Sequence, residues 1–222
     1  MAADKVVYLD NNATTMVAPE VYQAMAPYFT EFYGNPSSMH TFGGQVGVAV
    51  DRARQQVGSL LGCDSAELVF TSCGTESDST AILSALRANP DKRHVVTTRV
   101  EHPAVKNLCE NLGSMTGTKY RVTMLKVSED GLVDFDEYVN ALTEDTAIVS
   151  IMWANNETGV VFPVPKMARA AKDRGILFHT DAVQAVGKIP INLKELDIDY
   201  LSMSGHKLHA PKGVGILYVR RG

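Results

Sequence analysis

The sequence predicts an α/β protein: a three-layer α/β/α arrangement around a mostly parallel sheet. Two observations carry this. From residue 68 to residue 179, short apolar runs alternate with helix-compatible stretches of about ten residues. Such alternation implies right-handed crossovers and a sheet covered on both faces. The second observation is size and balance. The chain has 222 residues, 45% apolar and 21% charged, enough for one large domain with a proper core.

Composition also excludes function classes. Against 21 basic residues stand 25 acidic ones, a net charge of −4, with no basic block or aromatic-basic stripe. Nucleic-acid binding therefore has no electrostatic footprint. Cys63, Cys73 and Cys109 are odd in number and widely spaced, without a CxxC pair, which argues against a disulfide frame and against a zinc site. No apolar run is long enough to span a bilayer, and no charged-then-apolar leader opens the chain, so a cytoplasmic, membrane-free setting is the expectation.

Taken in order, Val6–Leu9 reads as a brief extended segment and Asp10–Thr15 as turn chemistry, with side chains that bond their own backbone. Pro19 opens an amphipathic helix over Glu20–Thr30. Gly34–Ser38 is a loop, and Gly43–Leu61 a longer helix closed by Gly62. The alternation follows. Strands are predicted at Leu68–Thr71, Val95–Thr98, Tyr120–Met124, Ala147–Ile151 and Gly175–His179. Helices are predicted at Thr75–Leu86, Pro103–Leu112, Phe135–Leu142 and Val164–Lys172. Asp199–Leu201 and Ile216–Val219 read as two further strands flanking a glycine-spaced loop.

In an open α/β sheet, ligands bind beyond the carboxyl ends of the strands. The residues just past those ends are polar here. Ser72-Cys73-Gly74-Thr75-Glu76-Ser77 precedes a helix, whose free amides suit a phosphate, although Ser or Thr there suits a plain helix cap equally. Glu101-His102 precedes Pro103; alone, such a histidine is a cap or a packed ring, and in a crevice it can cover an aromatic ring and move protons. Asn155-Asn156 forms a turn or offers uncharged donors and acceptors. Asp181 and Gln184 follow the next strand, and Ser204-Gly205-His206-Lys207 the one after. A loop lysine is ordinarily solvated. One placed just beyond a buried strand is suited to losing its proton and attacking a carbonyl. A Schiff-base lysine and an aspartate for a pyridinium nitrogen are the two groups pyridoxal phosphate needs most.

These runs together resemble the cysteine desulfurases, a branch of the class V aminotransferase superfamily, and within them the NifS type. The resemblance rests on Tyr8–Thr15, Gly34–Ser38, Gly74–Asp78, Glu101–Val105, Ala154–Gly159, His179–Gln184 and Ser204–Lys207, in the family's order along the chain. It implies pyridoxal 5'-phosphate held by Lys207 as a Schiff base. Asp181 would pair with the pyridine nitrogen, and Gln184 and Asn156 would contact the phenolic side. His102 would stack on the ring and serve as an acid–base group beside Lys207. Gly74, Thr75, Ser204, Gly205 and His206 would belong to the cofactor site, mostly around the phosphate. It further implies a seven-stranded sheet, a homodimer, L-cysteine as substrate and an iron–sulfur scaffold protein as sulfur acceptor.

Two departures set expectations of their own. Cys73 stands where many relatives carry glycine. The family also continues into a small C-terminal domain that supplies the sulfur-accepting cysteine and an arginine for the substrate carboxylate. Cys63, Cys73 and Cys109 lie outside that motif. The expected organisation is an N-terminal arm over 1–15 and a cofactor-binding large domain over 16–222, without the small domain and hence poorly active alone. Alternatives are a selenocysteine lyase or class V aminotransferase on the same residues, or a non-catalytic dimer or scaffold fragment.

Overall fold

The computed structural model describes residues 6–114 and 120–221. Seven strands form one sheet: β1 (Leu68–Thr71), β2 (His94–Thr98), β3 (Arg121–Leu125), β4 (Thr146–Ser150), β5 (Leu177–Asp181), β6 (Tyr200–Ser204) and β7 (Gly215–Val219). Their order is β1-β7-β6-β5-β4-β2-β3. Pairings among β3, β2, β4, β5 and β6 are parallel, whereas β7 runs antiparallel to both β6 and β1. The expected mostly parallel, seven-stranded sheet is thus present. The reversal of β7 has a simple cause. Only the loop from Gly205 to Val214 separates it from β6, too short for the crossover that a parallel partner needs.

The helices are α1 (Pro19–Met25), α2 (Pro27–Thr30), α3 (Thr41–Leu61), α4 (Gly74–Ala88), α5 (Pro103–Ser114), α6 (Phe135–Ala141) and α7 (Val164–Lys172). Two cores lie on opposite faces of the sheet. Val95 and Ile148 pack with Ile82, Ala85 and Leu86 of α4 and with Val105, Cys109 and Leu112 of α5. Their neighbours Val96 and Val149 turn the other way, toward Tyr138 of α6 and Met167, Ala168 and Ala171 of α7. That alternation along each strand makes three layers.

Helix α4 buries Ser77, Asp78, Ala81, Ile82, Ala85 and Leu86, a stripe at helical spacing that includes a carboxyl. At the end of α3, Gly62 adopts φ 65°, a left-handed cap, and a β-carbon there would lie 2.3 Å from Asn192 Oδ1.

Several boundaries differ from the sequence reading. The helix expected over Glu20–Thr30 is two pieces, because Pro27 has no N–H to continue the ladder. Neither piece buries a residue, and Tyr22 and Phe29 are exposed. Val6–Leu9 joins no strand among the described residues. The strand expected at Gly175–His179 runs instead over Leu177–Asp181. Gly175 takes φ 64° and closes the preceding turn, so the strand starts later and carries Asp181 as its last residue. Residues 1–5 of the expected arm lie outside the described residues.

Candidate active site

Strands β1 to β6 all end on one rim, and the chain beyond β1, β2, β4, β5 and β6 lines a cavity of about 490 Å³. Of the residues singled out from the sequence, Gly74, Thr75, His102, Asn156, Asp181, Gln184, Ser204, His206 and Lys207 line it. Gly205 does not. A β-carbon there would lie 2.7 Å from Val214 Cγ1. The sheet places the cavity at its switch point. From β2 the chain steps outward to β3, then returns through β4 and proceeds the other way, leaving a crevice between the ends of β2 and β4.

That crevice is fastened by Glu101, which is buried. Its carboxylate accepts the Met152 amide at 2.9 Å and the Thr98 hydroxyl at 2.7 Å. Burial pushes the Glu101 pKa up to about 8, against the opposing pull of those two donors. Beside it, His102 is exposed to the cavity and accepts the Ala104 amide on Nδ1 at 3.2 Å. The capping role open to it from the sequence is therefore present. It leaves Nε2 as the nitrogen not engaged in the cap.

Asp181 ends β5 almost fully buried, and its Oδ1 accepts the Val183 amide at 2.9 Å. Burial raises its pKa, while that amide, His102 and Lys207 pull it back. Lys207 closes a single 3₁₀ turn after β6. Burial is the largest influence lowering its pKa, and Lys188 adds to it, while Asp181, Asp10 and Glu157 oppose. Its ammonium donates to the carbonyl oxygens of Asn12 and Ala13, the latter at 2.6 Å.

The phosphate end is the start of α4. Cys73, at the N-cap, makes no side-chain cap bond, so the first-turn amides of a 15-residue helix have no partner within it. A β-carbon on Gly74 would lie 3.0 Å from Val183 Cγ2, which makes glycine the residue that lets this turn approach the end of β5. Cys73 also lines the cavity, and the Glu76 amide first among several groups draws its thiol pKa below the ordinary value.

Sequence reasoning missed two contributors. The turn at Asp10–Ala13 forms part of the wall. It is pinned by the Thr15 amide donating to the His206 carbonyl at 2.9 Å and by Gln184 Nε2 donating to the Asn12 carbonyl at 2.8 Å. Asn12 in turn donates to the Asn156 carbonyl at 3.1 Å. The other is Asp78, a buried carboxyl from α4 on the cavity floor.

A buried acid, a lysine of lowered pKa, an accessible imidazole and an uncapped helix start suit a flat, phosphorylated, electron-poor ring bearing a carbonyl. Sequence comparison agrees with that geometry. Residues 7–222 match the class V aminotransferase family. The chain belongs to that family.

Among curated relatives, the cysteine desulfurase NifS of Azotobacter vinelandii is 62% identical over 217 residues, covering 97% of this chain and 53% of that protein. A cysteine desulfurase of Trichormus azollae is 61% identical, covering 98% of this chain and 54% of its own. The chain spans about half the length of the curated relatives it matches. Among solved structures, a NifS-like protein superposes with a TM-score of 0.93 at 41% identity, covering 97% of this chain and 59% of that one. SspA in complex with cysteine gives 0.92 at 36%, covering 97% and 61%. The class V family resemblance inferred from the motifs is therefore correct, and its fold is the one found here.

Proposed function

We propose that this chain supplies the cofactor-binding part of a pyridoxal phosphate-dependent cysteine desulfurase, which converts L-cysteine to L-alanine and passes the sulfur to a protein thiol as a persulfide. The observation that carries the reading is the convergence of Lys207, Asp181 and the uncapped start of α4 on one cavity. Desulfurase relatives above 60% identity and a cysteine-bound structural neighbour support the substrate.

Pyridoxal phosphate, when bound, supplies an electron-accepting ring that lets an amino acid release its α-hydrogen as a proton. Gly74, Thr75, Ser204 and His206 would hold the phosphate, and Asn156 and Gln184 the phenolic side. Asp181 would keep a proton at the ring nitrogen, an interaction that its burial would strengthen. Lys207, once its amine is free, takes the proton from the substrate α-carbon, and His102 is the second proton carrier beside it.

The accepting thiol, the iron–sulfur scaffold partner, the homodimer and the cytoplasmic setting belong to the same proposal. So does a division into an arm over 1–15 and a large domain over 16–222. Burial raises the Cys63 thiol to about 11 and the Cys109 thiol to about 12, so neither offers much thiolate at neutral pH.

The test is product analysis. The full-length protein given L-cysteine and a thiol reductant should release alanine and sulfide in equal amounts, and Lys207→Ala should release neither. A keto acid in place of alanine would point to a class V aminotransferase and overturn the desulfurase reading.

A further inference from the structure

Asp78 is a buried carboxyl that the reading above does not use. It lies on α4, one turn inside the helix start, and is 1% exposed. Its Oδ1 has no hydrogen-bond partner among the described residues. His179 stands 3.5 Å away through Nε2 but is already committed: that nitrogen meets Ser202 Oγ at 2.9 Å, and Nδ1 meets Ser150 Oγ at 2.8 Å. Burial holds this histidine neutral, with its pKa lowered to about 3. It therefore gives Asp78 no compensating charge.

On the other side Asp78 faces the cavity. Oxygens of Asp78 and Asp181 and a ring nitrogen of His102 lie within 4.8 Å of one another. Two desolvated carboxyls at that separation do not both ionise readily. The groups that face Asp78 are Asp181 and His179 from β5, Glu101 and His102 from the loop after β2, Ser202 from β6, and Cys73 from the start of its own helix. Burial and then the Asp181 charge raise its pKa, Glu101 and Cys73 add to that, and the Ser202 hydroxyl opposes. A buried acid with one oxygen left without a hydrogen bond is costly to the fold and useful to a cation.

We propose that Asp78 and Asp181 form one electrostatically coupled carboxyl pair, and that the pair, not Asp181 alone, sets how firmly a pyridine nitrogen seated beside it keeps its proton. Asp78 is the positioning member. Buried beside Asp181, it keeps its proton to higher pH than an ordinary carboxyl does. As pH rises it ionises in turn, and the added charge keeps the ring nitrogen protonated further into the alkaline range. This inference rests on the pyridoxal phosphate reading of the site.

Ring-nitrogen NMR separates the two. In the full-length protein loaded with pyridoxal phosphate labelled with ¹⁵N in the ring, the nitrogen shift is followed against pH for wild type and Asp78→Asn. The variant keeps the shape but cannot ionise, so its ring nitrogen should lose the proton about 1 pH unit or more below wild type. Equal midpoints, with cofactor bound on Lys207 in both, would overturn the pair and leave the functional reading intact. Failure of wild type to bind the cofactor would overturn that reading, and this inference with it. Should the variant fold poorly, carboxyl ¹³C titration of wild type decides. Two aspartates still protonated well above the ordinary range and titrating in coupled steps support the pair, and an ordinary Asp78 midpoint rejects it.

Discussion

Lys207 donates to the main-chain oxygen of Ala13 at 2.6 Å, across 194 residues of sequence. A hydrogen bond to a main-chain oxygen favours the charged form of the amine. An attacking amine must be neutral, and burial together with Lys188 already favours neutrality.

The first prediction follows from that balance. A lowered lysine pKa means the neutral amine is populated at lower pH than for a free lysine. Imine formation with pyridoxal phosphate should therefore speed up with pH and level off below the ordinary lysine value of 10.5. Stopped-flow absorbance across pH 6–11 measures it. A plateau reached only above that value would contradict the assigned environment.

Glu101 makes the second prediction, about stability. Its pKa is raised from 4.5 to about 8, so its contribution is fully present below pH 4.5 and is lost as pH rises through about 8. Glu101→Gln, which can still accept the Met152 amide, should remove that decline. Melting temperatures of the cofactor-free protein between pH 4.5 and 9 should fall less steeply for the variant than for wild type. Equal slopes would show that Glu101 titrates normally.

Gly215 carries the third. A β-carbon there would lie 2.5 Å from the carbonyl carbon of Cys73 and 2.7 Å from its oxygen, both backbone atoms. Gly215→Ala should force β7 and the start of α4 apart, destabilising the protein by about 1–3 kcal/mol. It should also weaken pyridoxal phosphate binding, because the displaced turn is the one proposed to hold the phosphate. A variant with wild-type melting temperature and affinity would contradict that coupling.

How much was legible beforehand follows from the kind of signal each group leaves. Asp181, His102 and Lys207 were readable because each follows an apolar run, and the parallel-sheet rule turns such positions into one rim. The carbonyls of Asn12 and Ala13 were not, since a main-chain oxygen leaves no mark on residue type. Asp78 was hidden differently. Set among Ser77, Ala81 and Ile82, it reads as part of a helix, and only packing shows it on the buried face. Gly205 stands in the same polar run but is not among the cavity-lining residues, and a side chain there would meet Val214. The direction of β7 was readable in principle from the shortness of the loop before it.

The most direct measurement is borohydride reduction of the protein loaded with pyridoxal phosphate, followed by peptide mass spectrometry. The account predicts a yellow protein that loses its colour on reduction, with the phosphopyridoxyl group fixed on the peptide containing Lys207 and no fixation in Lys207→Arg. A colourless protein that takes up no cofactor, or a label fixed on Lys188 or another lysine, would contradict it.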